Sequence, residues 1–420
     1  MSELKLMLVA GARPNFMKIA SIANAVSAFN RSPSKTKLRQ IIVHTGQHYD
    51  EMMSHTFFRD LGIPKPDIDL GVGSGSHAQQ TAEIMKRFEP VLMRILPDVV
   101  LVVGDVNSTI ACSLVAAKAN YPPGSSPRVR PLIAHVEAGL RSFDRSMPEE
   151  INRILTDALA DLHFLTEKDA ARNLIREGIS KNKLHWVGNT MVDTLLRHRS
   201  QASKSTILSQ LGLVKPSGEM GASNKRRSGS KADCPQERCL DYALLTLHRP
   251  GNVDNRKSFQ EILEALLVIA PRIPILFPTH PRTMARIREF GMERHFRFGS
   301  IVVHGDKATP QIHCMPPLGY LDFVCLMSNA RLILTDSGGI QEESTVLGIP
   351  CVTLRENTER PVTLSEGSNV IGGTTKGSIV RHALLQLKAK RSNKLPRYWD
   401  GKAGNRIVKL LVRECGKIRP

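Results

Sequence analysis

The sequence predicts an α/β protein made of two parallel-sheet domains in tandem. Two observations predict it. Short apolar strands alternate with helical patterns almost from end to end, the signature of parallel sheets covered by helices. Glycine, acidic and basic residues gather where the strands stop, at the sheet edge where open α/β folds bind ligands. The 420 residues are enough for two domains, each with its own core.

LKLMLVA, RQIIVHT, DVVLVVGD and PLIAHVE read as strands of a first sheet, with KIASIANAVSAF and STIACSLVAAKA as helices between them. FLTE and HWVGN continue the count to a boundary near residue 186, giving domains of 1–186 and 187–400. Residues 215–239 are rich in Gly, Ser, Lys and Arg and lack periodicity, which predicts a basic, mobile insertion. DYALLTLH, PILFPTH, IVVHG, RLILTDS and PCVTL then read as strands of a second sheet. GNRIVKLLVREC closes the pattern as an amphipathic helix. Two such domains would set two carboxyl edges face to face across a central cleft, which suits a ligand with two distinct ends.

The apolar content of 41% fits a soluble globular chain. No apolar run approaches the roughly 20 residues that span a bilayer, and MSELKLMLVAGARP enters a strand without a cleavage pattern, so a cytoplasmic location is expected. Seven cysteines, with no CxxC pair and no Cys/His metal spacing, indicate neither a disulfide framework nor a zinc site. The net charge of +19 is concentrated. From Lys376 onward 13 Lys and Arg face two acids, Asp400 and Glu414, and NKRRSGSK adds a second basic run. No nucleic-acid motif accompanies either, so both read as solvated surface and no specific nucleic-acid partner is expected.

The stretch His135–Arg153, HVEAGLRSFDRSMPEEINR, packs carboxylates and cations into one loop between a strand and a helix. Glu137 falls at the strand end and Glu149 at the helix start. First-turn acids also favour the positive end of the helix dipole, and Arg141, Arg145 and Arg153 would neutralise the loop on that plainer account. GARPNFMK follows the first strand and puts Arg13 and Lys18 at a sheet edge, both suited to phosphate. GDVNST carries Asp105, an N-cap-like residue unless it shares a pocket with Glu137 and Glu149.

LLTLHRPGNVD places His248 and Arg249 at a strand end, and PTHPRT repeats the arrangement with His280 and Arg282. LILTDSGGIQEESTVLG is the strongest local signal. Ser337, Gly338 and Gly339 open a helix whose amino end favours a pyrophosphate, and Glu342 and Glu343 are expected in its first turn, where Glu343 could accept from a ribose. RENTERP adds Arg355 and Arg360 to the same edge, and PLGYLDFV offers Tyr320 and Phe323 as core or as a base-packing surface.

In this order and spacing, HVEAGLRS, PEEINR, TDSGGIQEE and TERP closely resemble the non-hydrolysing UDP-N-acetylglucosamine 2-epimerases. The resemblance runs from GARPNFMK to SEGSNVIGG and resumes at the last helix, leaving out only residues from about 201 to 240. It implies a GT-B-like fold of two Rossmann-like domains, with the helix at about 403–415 completing the first, and a homodimer. It also implies interconversion of UDP-GlcNAc and UDP-ManNAc with no metal and no other cofactor. By the same resemblance Asp105, Glu137 and Glu149 would be the acid/base carboxylates, and Arg13 and Lys18 would lie in the substrate site. His248, Ser337, Gly338, Gly339 and Arg360 would hold the diphosphate, Glu343 the ribose, and Phe323 and the backbone near Leu318 the uracil. His280 would be a further substrate contact.

Many members are activated by a second UDP-GlcNAc, held in part by polar residues after TGQH and by an Arg-Gln pair upstream of the next helix. Here Gln47 and His48 are present, but Asp50 stands where a glutamine is common and the pair reads Gln79-Gln80. Losing the arginine removes a charge-assisted contact of about 1.5 to 3 kcal/mol, so an effector is expected to bind weakly or not at all.

Overall fold

The computed structural model describes residues 2–47, 62, 64–214, 239–299 and 312–416. They form two compact units, one of Met1–Arg197 with Pro396–Pro420 and the other of His198–Leu395.

The first unit holds a sheet in which every strand pairing is parallel. Its strands are β1 (Ser2–Ala10), β2 (Thr36–His44), β3 (Ile68–Asp69), β4 (Val99–Val103), β5 (Leu132–Val136), β6 (Leu162–Leu165) and β7 (Leu184–Trp186), in the order β3-β2-β1-β4-β5-β6-β7. Every residue of β4 is buried, as expected of a central parallel strand covered on both faces. The helices are α1 (Arg13–Arg31), α2 (His77–Ile95), α3 (Asn107–Lys118), α4 (Pro148–Leu159), α5 (Lys168–Arg176) and α6 (Thr190–Ala202).

The second unit repeats the plan with β8 (Ala243–Thr246), β9 (Ile275–Pro278), β10 (Arg297–Phe298), β11 (Ile312–Met315), β12 (Leu332–Thr335), β13 (Cys351–Thr353) and β14 (Asn369–Ile371). Their order is β10-β11-β9-β8-β12-β13-β14, again all parallel. Its longer helices are α7 (Arg256–Ile269), α8 (Pro281–Glu289), α9 (Tyr320–Asn329), α10 (Gly338–Leu347) and α11 (Lys376–Lys388). The last helix, α12 (Ala403–Gly416), belongs to the first unit and lies on α1. Its Gly404 sits so close to Ser21 that a Cβ there would come within 2.6 Å of the Ser21 Oγ.

The order of strands reverses between β1 and β4 in one sheet and between β8 and β12 in the other. At such a switch point the connections leave in opposite directions and open a crevice at the carboxyl ends of the strands. These two crevices are where the chemistry-bearing residues fall.

Three expectations need correction. The units divide at Arg197 and Leu395 rather than at 186 and 400. The reason is that the first half of α6 is tied into the first unit. Asp193 accepts from Ser21 Oγ at 2.7 Å and from the Gly404 backbone at 2.8 Å, and Thr194 donates to the Met17 carbonyl at 2.6 Å. Gln79 and Gln80 lie inside α2 rather than upstream of it, and Gln79 closes a capping box with Ser76. Glu342 and Glu343 fall in the second turn of α10, because the helix starts at Gly338. The segment IVVHG, residues 215–238, His48 and Asp50 lie outside the described residues.

Candidate functional site

At the first switch point the turn after β1 is held by Asn15. Its Oδ1 accepts from the backbone of Gly11 and Ala12, and its Nδ2 donates to the Val103 carbonyl at 3.0 Å, so the ends of β1 and β4 are fastened together. Gly11 is required by close approach, since a Cβ there would lie 2.2 Å from Ser108 Oγ. Arg13 opens α1. One turn later Lys18 points inward and its Nζ donates to Glu137 Oε2 at 2.7 Å, with the two side chains 8% and 2% exposed.

Glu137 itself sits at φ 69°, in the left-handed region that costs an L-residue about 1 to 2 kcal/mol. Such strain persists where the surroundings over-determine it, and it collects at functional sites. Gly104, at φ +69°, passes directly beside the pair, and a Cβ on it would meet Lys18 Nζ at 2.7 Å.

Asp105 follows Gly104. Its carboxylate accepts from Arg153, whose other arm donates to Glu150 at 2.8 Å. Glu150 is fully buried and also accepts from Ser142 N, Ser142 Oγ and Phe143 N, so it ties down the loop that precedes α4. Its neighbour Glu149 is half-buried at the start of α4 and makes no hydrogen bond or ion pair among the described residues. Adjacent acids therefore do different things: Glu150 holds the loop, and Glu149 is available for chemistry.

Beneath this layer His135 bonds through Nε2 to the Gly104 carbonyl at 2.8 Å and through Nδ1 to Asp157 at 2.7 Å. Asp157 also accepts from Gly139 N and from Arg141. Burial would raise the Asp157 carboxyl, but His135 and Arg141 together hold it below the usual carboxylate range. Arg141 and Arg153 are thus buried structural cations rather than loose counter-charges, whereas Arg145 is exposed.

At the second switch point His248 lies two residues past the end of β8 and Asp336 directly follows β12. Asp336 is wholly buried and accepts from the backbones of His248 and Arg249 and from Asn252 Nδ2, while His248 Nδ1 lies 3.0 Å from it. Burial opposes its charge, yet His248 and these backbone N–H groups hold its carboxyl below the ordinary range.

Ser337 is the N-cap of α10 by position, but its hydroxyl caps nothing and makes no hydrogen bond among the described residues. That removes the plain account of the serine as a cap. Gly338 is needed because Glu359 Oε1 would stand 2.6 Å from a Cβ there. Glu359 in turn pairs with Arg249 and Arg355, and Glu342 pairs with Arg360 at 2.7 Å. Burial lowers the Arg355 guanidinium from its usual value, against the pull of Glu359. The result is a helix amino end beside three arginines whose charges are largely met by Glu359 and Glu342, so the helix amino end itself is the feature that favours an anion.

Glu343 is buried beside the Tyr320 hydroxyl, which donates to it at 3.4 Å; burial, with this carboxylate, pushes the Tyr320 phenol well above its usual value. Leu318 and Phe323 are half-buried at the start of α9. His280 is exposed and its Nδ1 accepts from Arg282 N, capping α8, while Arg282 pairs with Asp254. Gln80 is spent inside the first unit, and Gln47 is engaged there through its side-chain oxygen. Gln47 Oε1 accepts from Ser108 N and Oγ, and Gln80 donates to the carbonyls of Gln47 and Gly73 and accepts from Asn107.

The sequence alone assigned no role to Asn15, His135, Asp157 or Asp336, and treated Glu150 only as a first-turn acid beside Glu149. Of these Asp336 carried a signal: it follows an apolar strand directly, much as Asp105 follows β4 after one glycine.

Two Rossmann-like units of this kind make a GT-B-like α/β fold. A family model described as UDP-N-acetylglucosamine 2-epimerase matches residues 31–412. A UDP-N-acetylglucosamine 2-epimerase of Methanocaldococcus jannaschii is 40% identical over 411 residues, which cover 97% of this chain and 99% of that protein. The crystal structure of the UDP-GlcNAc 2-epimerase of that organism in complex with UDP-GlcNAc and UDP superposes with a TM-score of 0.79 at 39% identity, covering 98% of this chain and 100% of the other. A UDP-2,3-diacetamido-2,3-dideoxy-D-glucuronate 2-epimerase of Pseudomonas aeruginosa is 35% identical over 413 residues, covering 98% and 100%. The chain belongs to the UDP-N-acetylglucosamine 2-epimerase family.

Proposed function

We propose that the protein is a non-hydrolysing UDP-N-acetylglucosamine 2-epimerase that interconverts UDP-GlcNAc and UDP-ManNAc. The observation that carries this reading is full-length similarity to enzymes named for the reaction; it is supported by a switch point where Lys18 pairs with Glu137, Asp105 follows β4 after one glycine and Glu149 lies in the first turn of α4.

The C2 hydrogen of the sugar has no adjacent carbonyl, so simple deprotonation would leave a poorly stabilised carbanion. Elimination avoids it. A carboxylate takes the C2 proton while the C1–O bond to UDP breaks, and the departing diphosphate is stabilised by His248, Arg360 and the amino end of α10. UDP then re-adds at C1 of the bound glycal as a proton is delivered to the other face of C2. Two faces require acid/base groups on two sides, which is a reason for more than one carboxylate. Each direction is a C2 proton transfer coupled to cleavage or formation of the C1–O bond, with no change of overall oxidation state, so the reading calls for no nicotinamide.

In the second unit Ser337, Gly338, Gly339 and Arg360 hold the diphosphate, Glu343 the ribose, and Phe323 with the backbone near Leu318 the uracil. Arg13, Lys18 and His280 complete the substrate contacts. The proposal includes a homodimer, a cytoplasmic site of action and supply of a cell-surface polysaccharide precursor.

Incubation with UDP-GlcNAc in deuterium oxide tests it. Deuterium at C2 with appearance of UDP-ManNAc supports the reading, and release of free ManNAc refutes the non-hydrolysing form. The Pseudomonas relative motivates a second reading, a 2-epimerase of a diacetamido uronic acid sugar nucleotide. Turnover of that substrate, with UDP-GlcNAc left unchanged, would favour it.

A further inference from the structure

We infer that Asp336 is a positioning residue that sets the tautomer of His248, holding the proton on Nδ1 and presenting Nε2 as the ring's working nitrogen. The inference rests on the proposed function for its role in turnover, but not for its geometry.

Asp336 is 0% exposed and its carboxylate is surrounded by donors: His248 N at 3.0 Å, Arg249 N at 2.8 Å and Asn252 Nδ2 at 3.3 Å. The fourth neighbour is His248 Nδ1 at 3.0 Å. At that distance a lone pair on Nδ1 would face an ionised carboxylate, which only accepts, so the contact favours the tautomer that carries its proton on Nδ1. The depressed carboxyl of Asp336 agrees with an ionised group there. The two backbone bonds fix the chain at His248–Arg249, and the ring contact keeps Nδ1 against the carboxylate. One carboxylate therefore sets position and tautomer together.

The His248 side chain is 49% exposed, and its Nε2 makes no hydrogen bond among the described residues. With Nδ1 turned to Asp336, Nε2 is the ring nitrogen left to meet a ligand such as a phosphate oxygen. The tautomer of a histidine is set in this way by the bond its second nitrogen makes. Asp336 stands at the end of β12 and His248 near the end of β8, so the pair bridges the two strands between which the sheet order reverses.

The test uses the full-length protein with imidazole nitrogen NMR and a double-mutant cycle. In the wild type, neutral His248 is expected to carry its proton on Nδ1; a proton on Nε2 would overturn the inference whatever the variants do. Asp336→Asn, which can turn its amide toward Nδ1, is expected to shift the proton to Nε2 and to lower kcat/KM by roughly two orders of magnitude or more, the scale for a misplaced catalytic tautomer. In a His248→Ala background the same substitution should cost less than about threefold, because groups that act as a unit are non-additive. An equal loss in both backgrounds would make Asp336 structural only. If the wild type does not turn over UDP-GlcNAc, the functional reading fails separately, and the tautomer measurement with UDP binding by the same four proteins still decides the inference.

Discussion

Replacing Glu137 by Gln separates the two things this residue does. The Lys18–Glu137 pair is 2.7 Å long and all but closed to water, and Gly104 confines the ammonium from one side. Glutamine keeps the shape and an acceptor oxygen but removes the charge, leaving Lys18 buried without its ionic partner. Breaking a buried pair by removing one member costs about 3 to 5 kcal/mol. The retained acceptor puts the expectation at the lower end, about 3 kcal/mol, which for a unit of this size lowers Tm by roughly 6 to 12 °C. Turnover should fall by roughly two orders of magnitude or more from the lost acid/base group.

The double variant Lys18→Met with Glu137→Gln removes both charges. It should recover most of the Tm and none of the turnover. The assays are a thermal scan and C2 exchange followed by NMR. If Glu137→Gln keeps turnover within tenfold of wild type while Tm drops, Glu137 serves only to hold Lys18. If Tm does not move, the pair contributes little and the confinement argument fails.

Asp105→Asn and Glu149→Gln should each lower turnover by roughly two orders of magnitude, and Glu149→Gln should leave stability within about 0.5 kcal/mol because it breaks no described bond. Near-wild-type turnover of the Asp105, Glu137 and Glu149 triple variant would remove the carboxylate assignment. Ser337→Ala should weaken UDP binding by calorimetry by about 0.5 to 1.5 kcal/mol and Arg360→Ala by more; unchanged affinity in both would move the diphosphate elsewhere. Deleting residues 217–236 should leave activity largely intact, since Val214 and Cys239 form an antiparallel bridge and Leu240 N donates to Leu213 O at 2.8 Å, so the chain returns to where it left. Finally, UDP-ManNAc should be epimerised without added UDP-GlcNAc and with hyperbolic kinetics. A reverse reaction that stays silent until UDP-GlcNAc is supplied would contradict this and send attention to Gln47, Gln80 and His280.

The central strands were legible because parallel strands buried on both faces are written as unbroken apolar runs, and β4, all buried, is the plainest case. The edges were not. β3 and β10 are two residues long, and β11 reads IHCM, where a buried His313 interrupts the apolar run. Helix α2 escaped for a different reason: its buried residues are Gln80, Ile84, Phe88 and Leu92, a four-residue stripe with an amide at its head and Pro90 inside it. Periodicity counts the amide as polar, whereas the fold buries it by satisfying all its hydrogen bonds. The same satisfaction bears on the effector question, since an amide that already gives two bonds and receives one has little left for a ligand.

Local sequence located the charged loop but not the division of labour within it. Glu149 and Glu150 are adjacent, chemically identical and both in the first turn of α4, so helix-dipole arguments treat them alike. What separates them is the helical rotation of about 100° per residue. It turns Glu150 inward onto Ser142, Phe143 and Arg153 and leaves Glu149 half-buried with no bond among the described residues. The buried partner is fixed because three donors and a guanidinium converge on it, three of the four on Oε2, and a carboxylate so tied into its own loop is poorly placed to meet a C2 hydrogen. Arg153 reaches from Glu150 to Asp105, so the acid that does no chemistry positions, through one cation, an acid proposed to do it. Glu150→Gln should therefore be read by turnover as well as by stability, because loosening Arg153 releases Asp105.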